Sequence, residues 1–381
     1  MASVLSLMPL VLTLTLITSL PAPAHQNDLL GLKIVLPNRQ NASDPAFSPD
    51  GINIAYVVTQ GDSSQLWVTR VDGRRSRQVS SGQGRALEPA FSPSGSLLAY
   101  VWETGNDSRL MLAEVQTGIS RSVSGGAKVG SFGWNANSSM LVYDDTITGR
   151  LRIFRLAEGR TQEVPLNMTA KCPIFGSDDN QIIFSGLESS HYTIWSLDLT
   201  SGRIKRLSWG TGDQLWPQLD PAKRRVLYVQ FDYGRASLWV SDINGTWNQI
   251  LFQTPSLEIP GTARSYQLPY ILPELDVTTL PRWSPDGKYL LFLTASSNNG
   301  SNLNMATLNV TIKNEFPYGN PYYQIDLYGP VEQVKMHVEA FSWSPDGKSI
   351  ALSVNYGTTN ELVLLQIEPS RVKPIVGYGS P

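Results

Sequence analysis

The chain carries one cysteine, Cys172, and three histidines, His25, His191 and His337, in 381 residues. A single thiol excludes an intramolecular disulfide. Three scattered histidines supply no cluster of the kind that holds a structural or catalytic zinc. A surplus of one charge is missing too: 30 Lys and Arg against 32 Asp and Glu leave a formal charge of −2, with no pull toward nucleic acid or an anionic membrane. Helical periodicity is nearly absent. Past residue 24 no apolar run is long enough for a membrane span, and no motif calls for a cofactor.

What the chain has instead is repetition. The phrases PAFSPDG (Pro45 to Gly51), PAFSPSG (Pro89 to Gly95), PRWSPDG (Pro281 to Gly287) and FSWSPDG (Phe341 to Gly347) are near copies. Weaker copies run Ser131 to Ser138, Pro173 to Asn180 and Pro217 to Arg224. The aligned apolar residues are Phe47, Phe91, Trp134, Phe175, Leu219, Trp283 and Trp343, spaced 44, 43, 41, 44, 64 and 60 apart. A period near 42 with two late insertions marks a repeat architecture. After each turn comes a β-forming run, such as INIAYVV, LLAYVW or RVLYVQF, and then a second, such as QLWVTRV or SLWVSDI. A hairpin signal follows at Asp72-Gly73, Thr117-Gly118, Glu158-Gly159, Ser201-Gly202 and Asn244-Gly245, where glycine supplies the positive φ that a tight hairpin needs.

Four antiparallel strands per repeat cannot bury both faces alone, so the repeats must pack on one another. The expected fold is all-β: a seven-bladed β-propeller of four-stranded blades, with six blades as the alternative count. Residues 33–47 align without a gap on residues 77–91, so the N-terminal segment reads as a fourth strand lacking its first three. It is expected to complete the last blade, in competition with the tail Arg371 to Gly377. Residues 25–381 read as one domain, with insertions at about 253–280 and 296–321. The run Tyr322 to Tyr328 is favoured as the third strand of blade six, and Leu303 to Val310 is the other choice.

Ser3 to Leu20 is apolar and is followed by Ala22-Pro23-Ala24. The expectation is an export signal, residues 1–24, and a mature protein in the periplasm or outside the cell. The lack of disulfides fits a bacterial envelope.

The phrase PxFSPDG followed by IAYV, LWV, DG and RQVS resembles the repeat of TolB-like, WD40-like propellers, also used by prolyl-oligopeptidase-type enzymes. The resemblance covers about Lys33 to Pro381. It implies a propeller and leaves the task open, since one scaffold serves many functions. Two departures stand out. Residues before the first repeat are too few for the α/β domain of TolB itself, and there is no G-x-S-x-G elbow of the peptidase kind.

The SPDG aspartates Asp50, Asp286 and Asp346 read as turn caps rather than calcium ligands. SDINGTW (Ser241 to Trp247) reads as a hairpin turn. Asp44 and Glu88, each before a proline at the start of an innermost strand, are weak candidates for a cation or a basic partner group. Trp209 and Trp216, in the connection from blade four to five, with Tyr233, Arg235, Tyr266 and Tyr270 nearby, form a candidate binding surface of the residue types that dominate hot spots. The expected function is a non-catalytic, protein- or peptide-binding module. The alternative is an enzyme acting on a carbohydrate or small molecule at the channel mouth.

Overall fold

A computed structural model describes residues 32–35, 41–232, 235–253, 280–295, 301–309, 324–330, 337–355 and 359–367. The expected signal segment, Tyr233, Tyr266, Tyr270 and the tail Arg371 to Gly377 lie outside them, as does most of 253–280.

Every described element is a strand, and the sheets are built mainly from antiparallel hairpins. The innermost strands are Ala42–Phe47, Arg85–Phe91, Val129–Trp134, Ala170–Phe175, Asp213–Leu219, Arg282–Trp283 and His337–Trp343. Each pairs with a second strand: Asn53–Gln60, Leu97–Thr104, Met140–Asp145, Gln181–Glu188, Arg225–Asp232, Tyr289–Ala295 and Ser349–Asn355. Third strands follow at Ser63–Arg70, Asp107–Glu114, Arg150–Arg155, His191–Asp198, Arg235–Asp242, Ser301–Asn309 and Asn360–Gln366. The strands form five four-stranded sheets and one of eight. That larger sheet is two four-stranded units joined by a single parallel bridge, Ser64 opposite Arg85. We number the units 1 to 7 along the chain.

The fourth strand of unit 7 comes from the other end of the chain. Leu32–Ile34 pairs antiparallel with Leu365–Val363, so two edges that would otherwise stay open are sealed. The gapless alignment of this segment on residues 77–91 holds at the level of single hydrogen bonds. The amide of Val35 donates to Leu362 O, as Val79 does to Leu66 O, Val123 to Leu110 O, Val164 to Leu151 O and Leu207 to Ile194 O, at 2.7 to 3.0 Å.

Burial explains why the units stack. The second strands bury Tyr56, Tyr100, Tyr143 and Tyr228 almost completely, and Phe184 likewise; each such ring contributes about 1.5–3 kcal/mol. Apolar clusters lie between successive units rather than within them. Units 1 and 2 share Tyr100 and Leu66, units 2 and 3 Val101 and Tyr143, and units 3 and 4 Val142 and Phe184. The series continues through Tyr228 between units 4 and 5, Trp283 between 5 and 6, and Phe341 between 6 and 7. It then returns to its start, where Leu362 and Leu364 of unit 7 pack with Ile54 and Tyr56 of unit 1.

The turns between first and second strands repeat this succession at one end of the molecule. A methyl group on Gly51, Gly95, Gly287 or Gly347 would lie 3.5 to 3.8 Å from Cδ of Pro345, Pro49, Pro221 or Pro285, in each case the proline of the preceding unit. The other three junctions are polar. Ser94 N donates to Ser138 Oγ at 2.8 Å, Asn137 Nδ2 to Asp179 Oδ2 at 2.8 Å, and Lys223 Nζ to Ser177 O at 2.9 Å.

Inside each SPDG turn the aspartate is a cap. Ser48 Oγ donates to Asp50 Oδ1 and accepts from Asn53 N, while Ile52 N donates to the same carboxylate. Ser284 with Asp286 and Ser344 with Asp346 repeat the arrangement. In SDINGTW, Asp242 accepts from Thr246 N and Trp247 N, which makes it the expected hairpin turn.

One strand assignment needs correction. The third strand of unit 6 is Ser301–Asn309, paired with Tyr289–Ala295, and Gln324–Pro330 is the fourth. Tyr322 to Tyr328 is therefore not the third strand. The extra chain of this unit falls between its third and fourth strands, and 296–321 is not one continuous insertion, since 301–309 is paired strand. The physical reason is loop closure: five residues, 296–300, join the strands where the other choice needs 26. Gly329, which follows the hairpin glycine Gly245 by 84 residues, twice the repeat, sits inside a strand instead of a hairpin.

Two predictions follow from these contacts. A Cβ on Gly73, whose φ is +79°, would stand 2.1 Å from Val35 O of the closing strand, whereas one at Gly159, φ +62°, meets nothing within 4 Å. Both Gly→Ala changes incur a left-handed penalty of about 1–2 kcal/mol. Gly73→Ala is expected to lose clearly more in chemical denaturation, because it also displaces the closing strand. Serine hydroxyls and backbone N–H groups hold Asp50 and Asp346 below the usual carboxylate range. At Asp286 burial opposes the shift, but Ser284 and Lys288 outweigh it and its value is lowered too. These three groups stabilise the fold fully above about pH 4, their unfolded value, and progressively less as pH falls below it. The triple Asp→Asn variant should show a shallower loss of urea midpoint between pH 5 and pH 3 than the parent.

Candidate functional site

The innermost strands are bulged at a fixed place. Asp44, Glu88, Cys172 and Trp216 each precede a proline, and their φ angles are +49°, +52°, +53° and +54°. Antiparallel pairing shifts register beside each of them. A bulge frees backbone groups from the ladder, and proline removes one amide that would otherwise need a partner. The left-handed backbone costs about 1–2 kcal/mol at each non-glycine residue. Non-glycine strain of this kind gathers where a structure is built to present something.

Three of these bulges, at Glu88, Cys172 and Trp216, open on a cavity of about 330 Å³ lined by units 2 to 6. Glu88, Ser131, Cys172, Trp216, Leu280 and Arg282 contribute to its wall, with the bulge prolines Pro89, Pro173 and Pro217. Trp216 is partly exposed and its ring is braced edge-on by Phe231, with centroids 5.7 Å apart.

Unit 3 solves its bulge differently, without proline. Gly130 N and Ser131 N donate to Asp144 Oδ1 at 2.9 and 2.7 Å. Ser131 Oγ and, from the next unit, Cys172 N donate to Asp144 Oδ2 at 3.1 and 2.9 Å. Asp144 is 3% exposed. Burial raises its pKa, against the lowering effect of these four donors. Cys172 is pushed up to about 12, first by burial and then by the charge of Asp144. Beside this wall Lys171 Nζ lies 3.8 Å from the ring centroid of Tyr192, and Tyr192 N donates to Asp213 at 2.8 Å. Burial, then the Asp213 charge, raises the Tyr192 phenol.

Of the residues singled out in the sequence, Glu88 and Trp216 come together on this cavity. Trp216 belongs to an innermost strand, not to the connection before it, because the bulge carries pairing back to Asp213. Trp209 does sit in that connection, 43% exposed. Its carbonyl is held by Gln214 Nε2 and Asn248 Nδ2 at 3.2 and 2.9 Å. Asp44 shares the bulge geometry of Glu88 but is buried and not part of the cavity wall. Glu339 is occupied by Asn355 and Asn360. Arg235 opens the third strand of unit 5 opposite Asp232. His191 opens the third strand of unit 4 and His337 the innermost strand of unit 7. Among the described residues no three His, Cys, Asp or Glu side chains gather as a metal site would require. Cys172 and Asp144 escaped the sequence reading, although Cys172-Pro173 and Trp216-Pro217 align with Asp44-Pro45 and Glu88-Pro89.

The family described as TolB beta propeller domain matches residues 28–260. The chain belongs to that family. No curated protein matches it. Among solved structures it is similar to an oligogalacturonate lyase in complex with manganese, at 14% identity and a TM-score of 0.61, over 89% of this chain and 93% of that one. The oligogalacturonate lyase of Vibrio parahaemolyticus gives 11%, 0.62, 89% and 94%. TolB from Acinetobacter baumannii gives 18% and 0.51 over 68% of this chain and 61% of the other. At these identities the likeness is one of fold.

A thiol held near 12 leaves about one molecule in ten thousand as thiolate at pH 8. Cys172 in the folded protein should therefore resist iodoacetamide at pH 8 and react fully in guanidinium, as followed by intact mass. Rapid labelling without denaturant would contradict the burial described.

Proposed function

From membership of the TolB β-propeller family, we propose that this chain is an exported, seven-bladed propeller that binds a protein or peptide at its axial cavity. The blade count is supported by apolar clusters and turn contacts that run from each unit to the next and return from unit 7 to unit 1. Export to the periplasm or cell surface is supported by the apolar segment and A-x-A pattern before residue 25.

The observation that carries the binding reading is Trp216. A partly exposed tryptophan in strained backbone, braced by Phe231 and facing a cavity with one acid and one base, is a costly arrangement to maintain for packing alone. Large rigid aromatic groups in well-packed pockets are where binding energy concentrates. About 330 Å³ is at the small end for ligand pockets. It takes two or three side chains of a protruding segment, not a folded domain. Trp209, exposed on a connection pinned through its own carbonyl, adds a second anchor outside the cavity.

The second reading, a carbohydrate-acting enzyme, has the likeness to two oligogalacturonate lyases in its favour. It requires an acid-base group at the cavity, for which Glu88 is the available residue. The two readings separate cleanly. Affinity capture from envelope extract with tagged protein is expected to recover a specific partner. Trp216→Ala should weaken that complex by about 2 kcal/mol or more, roughly thirtyfold. Manganese-dependent formation of unsaturated uronate from oligogalacturonides, abolished by Glu88→Gln, would overturn the binding reading in favour of the lyase.

A further inference from the structure

Asp144 stands at a position that the other six units fill with Val57, Val101, Ser185, Val229, Leu293 and Ser353. A carboxylate buried where its repeats carry valine, leucine or serine faces a desolvation cost of several kcal/mol unless every lone pair is used. Here they are used, by donors from two units. Gly130 and Ser131 belong to its own unit, Cys172 to the next. Ser131 and Cys172 are both cavity wall, and Trp216 lines the same cavity. The hydrogen bonds therefore run from Asp144 to two residues of the wall that Trp216 also lines.

We propose that Asp144 is a positioning residue for the axial cavity: its carboxylate fixes the wall at Ser131 and Cys172, the wall that Trp216 also lines. The inference rests on the cavity being the binding site, but its geometry is independent of any ligand. Only a carboxylate offers acceptors in both directions. Asparagine keeps the shape and turns an NH2 group on one side toward the amide of Cys172, a fixed donor that cannot rotate away. A close approach also explains Gly130, where a Cβ would stand 2.8 Å from Asp144 Oδ1.

The protein contains its own reporter, since Cys172 is its only cysteine. The test compares the rate at which methyl methanethiosulfonate modifies Cys172 in the folded full-length protein and in Asp144→Asn. Asp144→Asn removes one wall hydrogen bond and also a charge that raises the Cys172 pKa, so its rate is expected to rise at least about tenfold, and the proposal requires a rise in Ser131→Ala as well, which keeps the charge. Ser353→Ala controls for general destabilisation. It occupies the same position in unit 7 and breaks another contact between units, Ser353 Oγ to Ala42 O at 3.0 Å, away from the cavity. It should lower the melting temperature and leave the Cys172 rate unchanged. If Asp144→Asn does not fold, Ser131→Ala removes one of the four donors and should raise the rate by a smaller, measurable factor. Wild-type reactivity in folded Asp144→Asn, or an equal rise in Ser353→Ala, would overturn the proposal. Raised reactivity together with undiminished partner capture by Trp216→Ala would keep Asp144 as the wall's organiser and reject the cavity as the binding site.

Discussion

A four-stranded antiparallel sheet has two faces and can bury neither by itself. The rest of this molecule answers that constraint. Its apolar side chains, led by Tyr56, Tyr100, Tyr143 and Tyr228, sit between units and not inside them. A linear stack would leave two faces bare at its ends. The chain avoids this by lending its first strand to its last unit and by packing Leu362 against Tyr56. Closure is therefore a condition of stability as well as a feature of shape.

Closure also explains the cavity. Innermost strands that converge on one axis must bend, and bulges are the backbone's means of bending. The left-handed residues at Asp44, Glu88, Cys172 and Trp216 carry strain that the packing between units outweighs, and they orient side chains the ladder would otherwise constrain. Proline and Asp144 are two solutions to one problem, the peptide groups freed by the bulge. The first deletes a donor and the second supplies an acceptor.

Repeat phrases, hairpin glycines and the displaced fourth strand at residues 33–47 were all legible in the sequence because they obey local rules: turn chemistry, period and alternation. The SPDG aspartates were legible as caps for the same reason, as serine and backbone donors two residues away decide their role. Unit 6 was misread where the period was broken, since an insertion removes the alignment that carried the argument and Gly329 kept the phase by coincidence. The cavity was half legible. Glu88 could be placed by its proline, and Cys172-Pro173 carries the same signal, but Asp144 acts across units on residues far from it in the chain. Contacts of that sort have no local signature.

The central claim is that seven units form one closed, cooperative ring around the axial cavity. Amide hydrogen exchange, read by mass spectrometry peptide by peptide, tests it most directly, because local opening follows the architecture. A closed ring predicts that the second strands of units 1 and 7, Asn53–Gln60 and Ser349–Asn355, are as protected as Gln181–Glu188 of unit 4. Protection that is highest in unit 4 and falls toward units 1 and 7 would mean an open array and would contradict the account.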